Sequence, residues 1–391
     1  MILKKYLTLF TISIGLFLLL SPLSSWAIFG ADEFRIEKFC QSDLKSPRQT
    51  LIYIDNQVLV KGDSQWAKDL LAKLSANLMP SEPVTLVEMS PVSGEMQELW
   101  QGCYPNYTSA ELEKIKKENN SFFGSDPIKQ LKNQQAFFRK QLGDALGKLL
   151  IAKGRNSADI KINDDEPPKK QIIRAFSNDG ARFDSTHGAI RVIIYSDMIE
   201  NSDLGSSLNE KTVGSDKTLS LDFKNAVFYV YGVGVTLPSQ GVATDRIKSY
   251  WKDILDASTG HLIGFGSNLI IPTTVPLSIH SYDIEVIVDK NNDIRNGKMQ
   301  LFVDHEGHLQ DSFISIANKV QSIIQDGSFL CKDTKCTLSA NTKNSVITTQ
   351  GNNEIKLTGS IEHQSGSLRI PNAKLPNGKD AVFDITSELN K

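Results

Sequence analysis

From residue 49 to residue 272, short unbroken apolar runs alternate with stretches in which apolar side chains recur every three or four positions. "TLIYID" and "AIRVIIYS" are runs of the first kind and predict strands buried on both faces, as in a parallel sheet. "PVTLVEMS", "NAVFYVYGVGV" and "HLIGFG" predict three more. Trp66, Leu70, Leu71, Leu74 and Leu78 have helical spacing, with Ser64 as the N-cap. A longer helix is predicted over 126–153, with Asp126 and Pro127 at its start and Gly154 placed to end it. "DRIKSYWKDILDAST" is amphipathic through Ile247, Tyr250, Trp251 and Ile254, and Gly260 closes it. "QIIRAFSN" reads as a short helix or strand, "ELWQGCYPNYTSAE" as irregular, and "NDDEPPKK" as a surface loop. The order β-α-β-α-α-β-β-α-β predicts an α/β domain over 49–272, its central, mostly parallel sheet flanked by helices.

Beyond "IIPTTVP" the period changes. "YDIEVIVDKNNDIRNGKMQLFVDHEGHLQDSFISI" alternates apolar and polar positions between turn clusters, as antiparallel strands do, and "NSVITTQGNNEIKLTGSIEHQSGSLRI" continues the pattern. Residues 277–391 therefore read as a β-rich, sandwich-like C-terminal domain, and 28–48 as a lead-in to the α/β domain.

The first 27 residues stand apart. Two lysines precede an apolar run of 15 residues, and Ser25-Trp26-Ala27 puts small residues where a signal peptidase reads. As a helix the run would span about 22 Å, short of the ~30 Å hydrocarbon core, so a cleaved signal peptide over 1–27 is favoured over an anchor. No later stretch approaches transmembrane length. Cleavage removes two lysines and no acid, taking the formal charge from −2 to −4. That balance offers no electrostatic case for nucleic acid or anionic lipid. Four cysteines in an exported chain point to two disulfides: Cys331 with Cys336 across a small hairpin or loop, leaving Cys40 with Cys103. A four-thiolate zinc site is the competing use, although it usually shows two close Cys-x-x-Cys pairs.

Four segments, "TLIYIDNQVLVKGDSQW", "RVIIYSDMIENS", "VFYVYGVGV" and "IKSYWKDILDASTGHLIGF", together resemble the von Willebrand factor type A family in its exported bacterial forms. The resemblance implies a recognition module that binds partners at the C-terminal edge of its sheet, with a divalent cation held there by an Asp-x-Ser-x-Ser turn. The matching positions here are Asp55, Gln57 and Leu59, so the first hydroxyl has become an amide and the second is lost. Asp197 matches the acidic residue after the fourth strand. The family's threonine has no clear counterpart, Thr186 lying too near that strand. Asp55, Gln57 and Asp197 could hold Mg²⁺ or Ca²⁺ with several waters. In the alternative, a degenerate site, Asp55 accepts hydrogen bonds from its turn and Asp197 caps the next element. Two adjacent carboxylates repel, so either a cation or local NH donors must compensate.

Other constellations are weaker. "DHEGH" and "DKNNDIRNG" read as turns, because neither meets the spacing of a zinc helix or a calcium loop. "DSTHG" holds Asp, Ser and His too close together for a triad. Trp100, Tyr104 and Tyr107 cluster around Cys103, either packed over a disulfide or forming an exposed binding patch. The expectation is a periplasmic or secreted, non-catalytic module for protein partners in the cell envelope, in a setting such as a secretion or conjugation apparatus. A metal-dependent adhesion protein is the alternative. A secreted hydrolase using His187 or His305 ranks below both.

Overall fold

The computed structural model describes residues 36–41, 46–118, 126–160, 169–185, 188–208, 221–236, 244–288, 293–316, 320–332, 335–344, 354–362, 369–374 and 380–388. The expected signal segment 1–27, along with Thr186 and His187, lies outside them.

The α/β part runs β1 (Arg48–Asp55), α1 (Gln65–Asn77), β2 (Pro83–Ser90), β3 (Glu95–Cys103), α2 (Ser109–Glu118), α3 (Pro127–Lys153), α4 (Ile172–Asn178), β4 (Ala189–Tyr195), β5 (Val227–Tyr231), α5 (Thr244–Ala257) and β6 (His261–Phe265). Its six strands lie in the order β3-β2-β1-β4-β5-β6. All neighbours are parallel except β2 and β3, which form an antiparallel pair. β3 is the main departure from the expected elements. Its residues alternate only loosely between exposed and half-buried, as an edge strand's do, so no clean period marks it.

The two central strands are as buried as their sequences require. Every residue of β4 is buried, as is every residue of β1 except Gln49. One face, through Ile52 and Ile54, packs on Leu70, Leu74, Phe138 and Leu142 of α1 and α3. The other, through Leu51 and Tyr53, packs on Phe176 of α4 and Trp251 of α5. α3 begins as predicted, Asp126 accepting from Ile128 N at 2.9 Å, and Gly154 N donates to Leu150 O at its end. At α1, Ser64 makes no capping bond, and Asp63 Oδ1 accepts from Gln65 N instead.

Beyond β6 come β7 (Ser278–Val288), β8 (Asp293–Val303), β9 (Leu309–Ile316), β10 (Val320–Lys332), β11 (Lys335–Asn344), β12 (Glu354–Glu362), β13 (Arg369–Lys374) and β14 (Asp380–Glu388). They form one eight-stranded sheet ordered β12-β11-β10-β9-β8-β7-β14-β13. Its two end strands, β12 and β13, touch one another, so the expected β-rich region is a single meander curling on itself. β11 shows the period of two: Cys336, Leu338 and Ala340 are buried while Thr337 and Ser339 are exposed. Asp304–His308 forms the turn before β9, with Asp304 accepting from Glu306 N and His308 N and Gly307 at φ +84°. Asp289 to Asn292 lie outside the described residues; Val288 and Asp293, which flank them, pair as a hairpin would.

Both disulfides form. Cys40–Cys103 ties the lead-in to the end of β3, and Cys331–Cys336 joins directly paired residues of β10 and β11. Tyr104 is buried and Trp100 half-buried, both edge-on to Phe138, and Gly102 makes room for the Trp100 ring. Tyr107 packs on Phe39 beside the first disulfide. Of the two readings open for these aromatics, packing is the one their contacts support.

At the N-terminal end of β1 and β4 lies a buried ion cluster. Glu82 accepts from Arg48 Nε at 3.0 Å and Nη2 at 2.8 Å, and from Arg191 Nη2 at 2.9 Å. Burial works against the Glu82 charge, but the two guanidiniums outweigh it and hold its pKa below the usual carboxylate range. The β-rich part docks here. Tyr229 donates to Asp311, the Phe313 ring stacks on His261 at 3.6 Å, and Phe302 and Phe313 join the apolar cluster of α1 and α3. Glu82→Gln strands two buried cations, so a loss of about 3–5 kcal/mol is expected in chemical denaturation.

Candidate functional site

In open α/β sheets ligands bind at the C-terminal edge where the strand order reverses, because the loops there part to opposite faces. Here that point lies between β1 and β4, which are paired side by side with Ile54 opposite Tyr195. Asp55 ends β1, and Ser196 and Asp197 follow β4, so the topology brings the two carboxylates together. Both are fully buried.

Between them sits an ammonium. Lys170 Nζ lies 3.0 Å from Asp55 Oδ2 and 2.7 Å from Asp197 Oδ1. Lys170 is the last residue of "NDDEPPKK", expected on the surface, yet it is only 2% exposed. Its backbone is stapled across the switch point. Lys170 N donates to Asn201 O, Asn201 N donates back to Lys170 O, and Gln171 N donates to Pro91 O at 2.8 Å. The strap thus joins the loop after β2 to the loop after β4. Burial works against the charge on Lys170, but Asp197 and Asp55 more than offset it and raise its pKa above the ordinary lysine value. Burial raises Asp55 from its usual value, opposed by Lys170 and reinforced by Asp197.

The remaining lone pairs are met locally. Asp55 Oδ1 accepts from Gln57 N at 2.8 Å and Oδ2 from Ser196 Oγ at 2.8 Å. Asp197 Oδ1 accepts from Ile199 N at 3.0 Å, and Oδ2 from the Thr236 hydroxyl. The turn and cap roles expected of Asp55 and Asp197 are therefore present, with a cation added. Gln57 takes no part through its side chain: Nε2 donates to Asn56 Oδ1, and Oε1 accepts from Arg155 Nη1. Leu59 is in the core. Thr236, on the loop after β5, is buried and supplies the hydroxyl that meets Asp197. His305 is exposed in its turn, 3.6 Å from Glu306.

Two backbone features shape the rim. Met198 has φ +56° and is buried, its N donating to Ser196 Oγ and its O accepting from Trp251 Nε1 at 2.6 Å. Gly232 has φ +87°, and a Cβ there would come within 2.7 Å of the Tyr195 ring. The "YGVGV" glycines thus serve to turn the chain away from the strand end.

A cation-type donor set closes the sheet's switch point, and the six-stranded order with one antiparallel edge surrounds it. The α/β half is an open, doubly wound sheet whose order is consistent with the von Willebrand factor A-like fold that its sequence resembles. No protein-family model and no curated protein matches the chain. Among solved structures it is similar to the ArnB paralog VWA2 from Sulfolobus acidocaldarius, at 10% identity and TM-score 0.28, over 81% of this chain and 65% of that one. It is also similar to the human COPII-coat protein Sec24c, at 6% identity and TM-score 0.30, over 90% of this chain and 45% of that one. This chain spans less than two thirds of either protein, and the fold assignment rests on the strand order and the switch point.

The family's divalent ion does not fit these residues as they stand. A metal bonded to both inner carboxylate oxygens at about 2.0–2.6 Å would meet Lys170 Nζ at sub-contact distance and be repelled by it.

Next to the strap, Glu200 is buried, accepts from Ile173 N at 3.0 Å and from the Ser202 hydroxyl, and burial pushes its pKa from 4.5 up to about 7. Between pH 4.5 and about 7 the native chain keeps a proton that the unfolded chain has released. Stability contributed by that proton is complete below pH 4.5 and lost as pH rises through about 7. Glu200→Gln is expected to flatten the melting temperature over this window, as read by thermal unfolding at a series of pH values.

Proposed function

We propose that this chain is a non-catalytic protein-interaction module of the cell envelope, periplasmic or secreted, that engages its partner at the C-terminal rim of the α/β sheet without a divalent ion. The observation that carries this reading is Lys170. Its ammonium occupies both aspartates, leaving no open coordination position between them and, among the described residues, no accessible carboxylate at the switch point. Among the described residues the rim also exposes two apolar side chains. Val92, 54% exposed, stands on the loop after β2 beside the strap, and Val235, 36% exposed, precedes Thr236 on the loop after β5. Three strand spacings separate β2 from β5, about 14 Å, a span suited to a partner's surface rather than to a small molecule.

Export is supported by the N-terminal segment read above and by the two disulfides, which persist in oxidising compartments. No helix among the described residues is long and apolar enough to cross a membrane. A secretion or conjugation assembly is a setting that such a module would suit.

Cross-linking and affinity capture from the native envelope test the reading. The wild-type chain is expected to retain the same specific partner with and without EDTA. Val92→Asp combined with Val235→Asp is expected to reduce that capture at least tenfold while leaving the melting temperature unchanged. Capture that vanishes on chelation, or that is indifferent to both rim substitutions, would overturn it.

A further inference from the structure

Two carboxylates, from Asp55 and Asp197, face one buried point held by Lys170, and a hydroxyl, from Ser196 and Thr236 respectively, donates to each of them. Oxygens of this kind are what a hard divalent cation takes. The hydroxyls come from β4's end and the loop after β5, not from the turn after β1 where the family motif places its serines. The donor set is thus more complete than the first-strand residues alone suggest, yet its centre is held by nitrogen.

We propose that Lys170 is a covalently tethered substitute for a divalent metal, and that Asp55, Ser196, Asp197 and Thr236 form a latent divalent-cation site that appears when the ammonium is removed. The charges argue for it. With Lys170 present, two carboxylates and one ammonium leave a surplus of one negative charge, which the NH donors of Gln57 and Ile199 and the two hydroxyls face. Without it the surplus is two, buried, and matched by a divalent ion. The tether argues for it as well. Hydrogen bonds to Asn201 and Pro91 anchor the strap on both sides, so the cation is delivered by folding and cannot be lost by dilution or chelation. The inference shares with the proposed function the reading of Lys170 as the rim's resident cation; partner capture tests that function, whereas metal binding by Lys170→Ala tests the latent site alone.

Thermal unfolding and calorimetric titration with Mn²⁺ and Ca²⁺ on the full chain test it. The wild type is expected to give no saturable heat and one melting temperature in EDTA and in millimolar metal. Lys170→Ala is expected to melt lower in EDTA, to recover several degrees in millimolar Mn²⁺ or Ca²⁺, and to bind one ion per chain. Lys170→Ala with Asp197→Asn restores the wild-type charge surplus and is expected to fold without metal and lose the ion binding at least tenfold. Stoichiometric metal binding by the wild type overturns the proposal, as does a folded Lys170→Ala whose melting is indifferent to both ions. Should Lys170→Ala be recovered only unfolded, it is refolded with and without millimolar Mn²⁺: metal-dependent recovery supports the proposal, and equal failure overturns it.

Discussion

Burying two carboxylates side by side is among the more costly things a fold can do, and β1 and β4 leave this chain no alternative. Their hydrophobic runs must lie adjacent at the centre of the sheet, and Asp55 and Asp197 come at the ends of those runs. Without a counter-charge the strand ends would repel or take up a proton. Lys170 answers this, and much of the upper architecture follows from where it must stand. The strap crosses between the loops after β2 and β4, α4 starts directly behind it, and Met198 accepts a left-handed backbone so that Asp197 can turn inward.

The other end of the same two strands carries the inverse arrangement. There two guanidiniums, Arg48 and Arg191, share one carboxylate, Glu82. Between the clusters the strands are apolar, with Leu51 to Ile54 beside Val192 to Ile194. The central pair is thus a greasy rod with an acid-rich cluster at one end and a base-rich cluster at the other. Such networks specify register, because a slip of one residue would move an ion into the wrong layer.

How much of this could be read from the residues depended on whether the decisive contacts were local. Strands β1, β4 and β5 stand out because a doubly buried strand needs an unbroken apolar run, and α3 because its cap and terminator lie next to it in the chain. β3 was missed because one side of an edge strand needs no apolar residues, so "ELWQGC" has no clear period. Lys170 was missed for a related reason. "NDDEPPKK" has the composition of a solvated loop, and only the crossing of the switch point by the distant chain buries its last residue. The signal that existed was indirect: two aspartates expected to meet, a need for positive charge between them, and a pair of lysines at 169 and 170. Thr236 carried no local signal, since its role is set by which loop overhangs Asp197.

The surplus positive charge beneath the sheet has its own consequence. Asp311 belongs to β9, yet it accepts the Tyr229 hydroxyl, and Arg191 and Arg48 draw its pKa down against burial, which raises it on balance. The β-rich half therefore supplies the anion that balances the α/β half's inner guanidiniums. The seam between the two halves is thus electrostatic as well as apolar. A cut in the linker between β6 and β7 would sever a charge balance along with a chain.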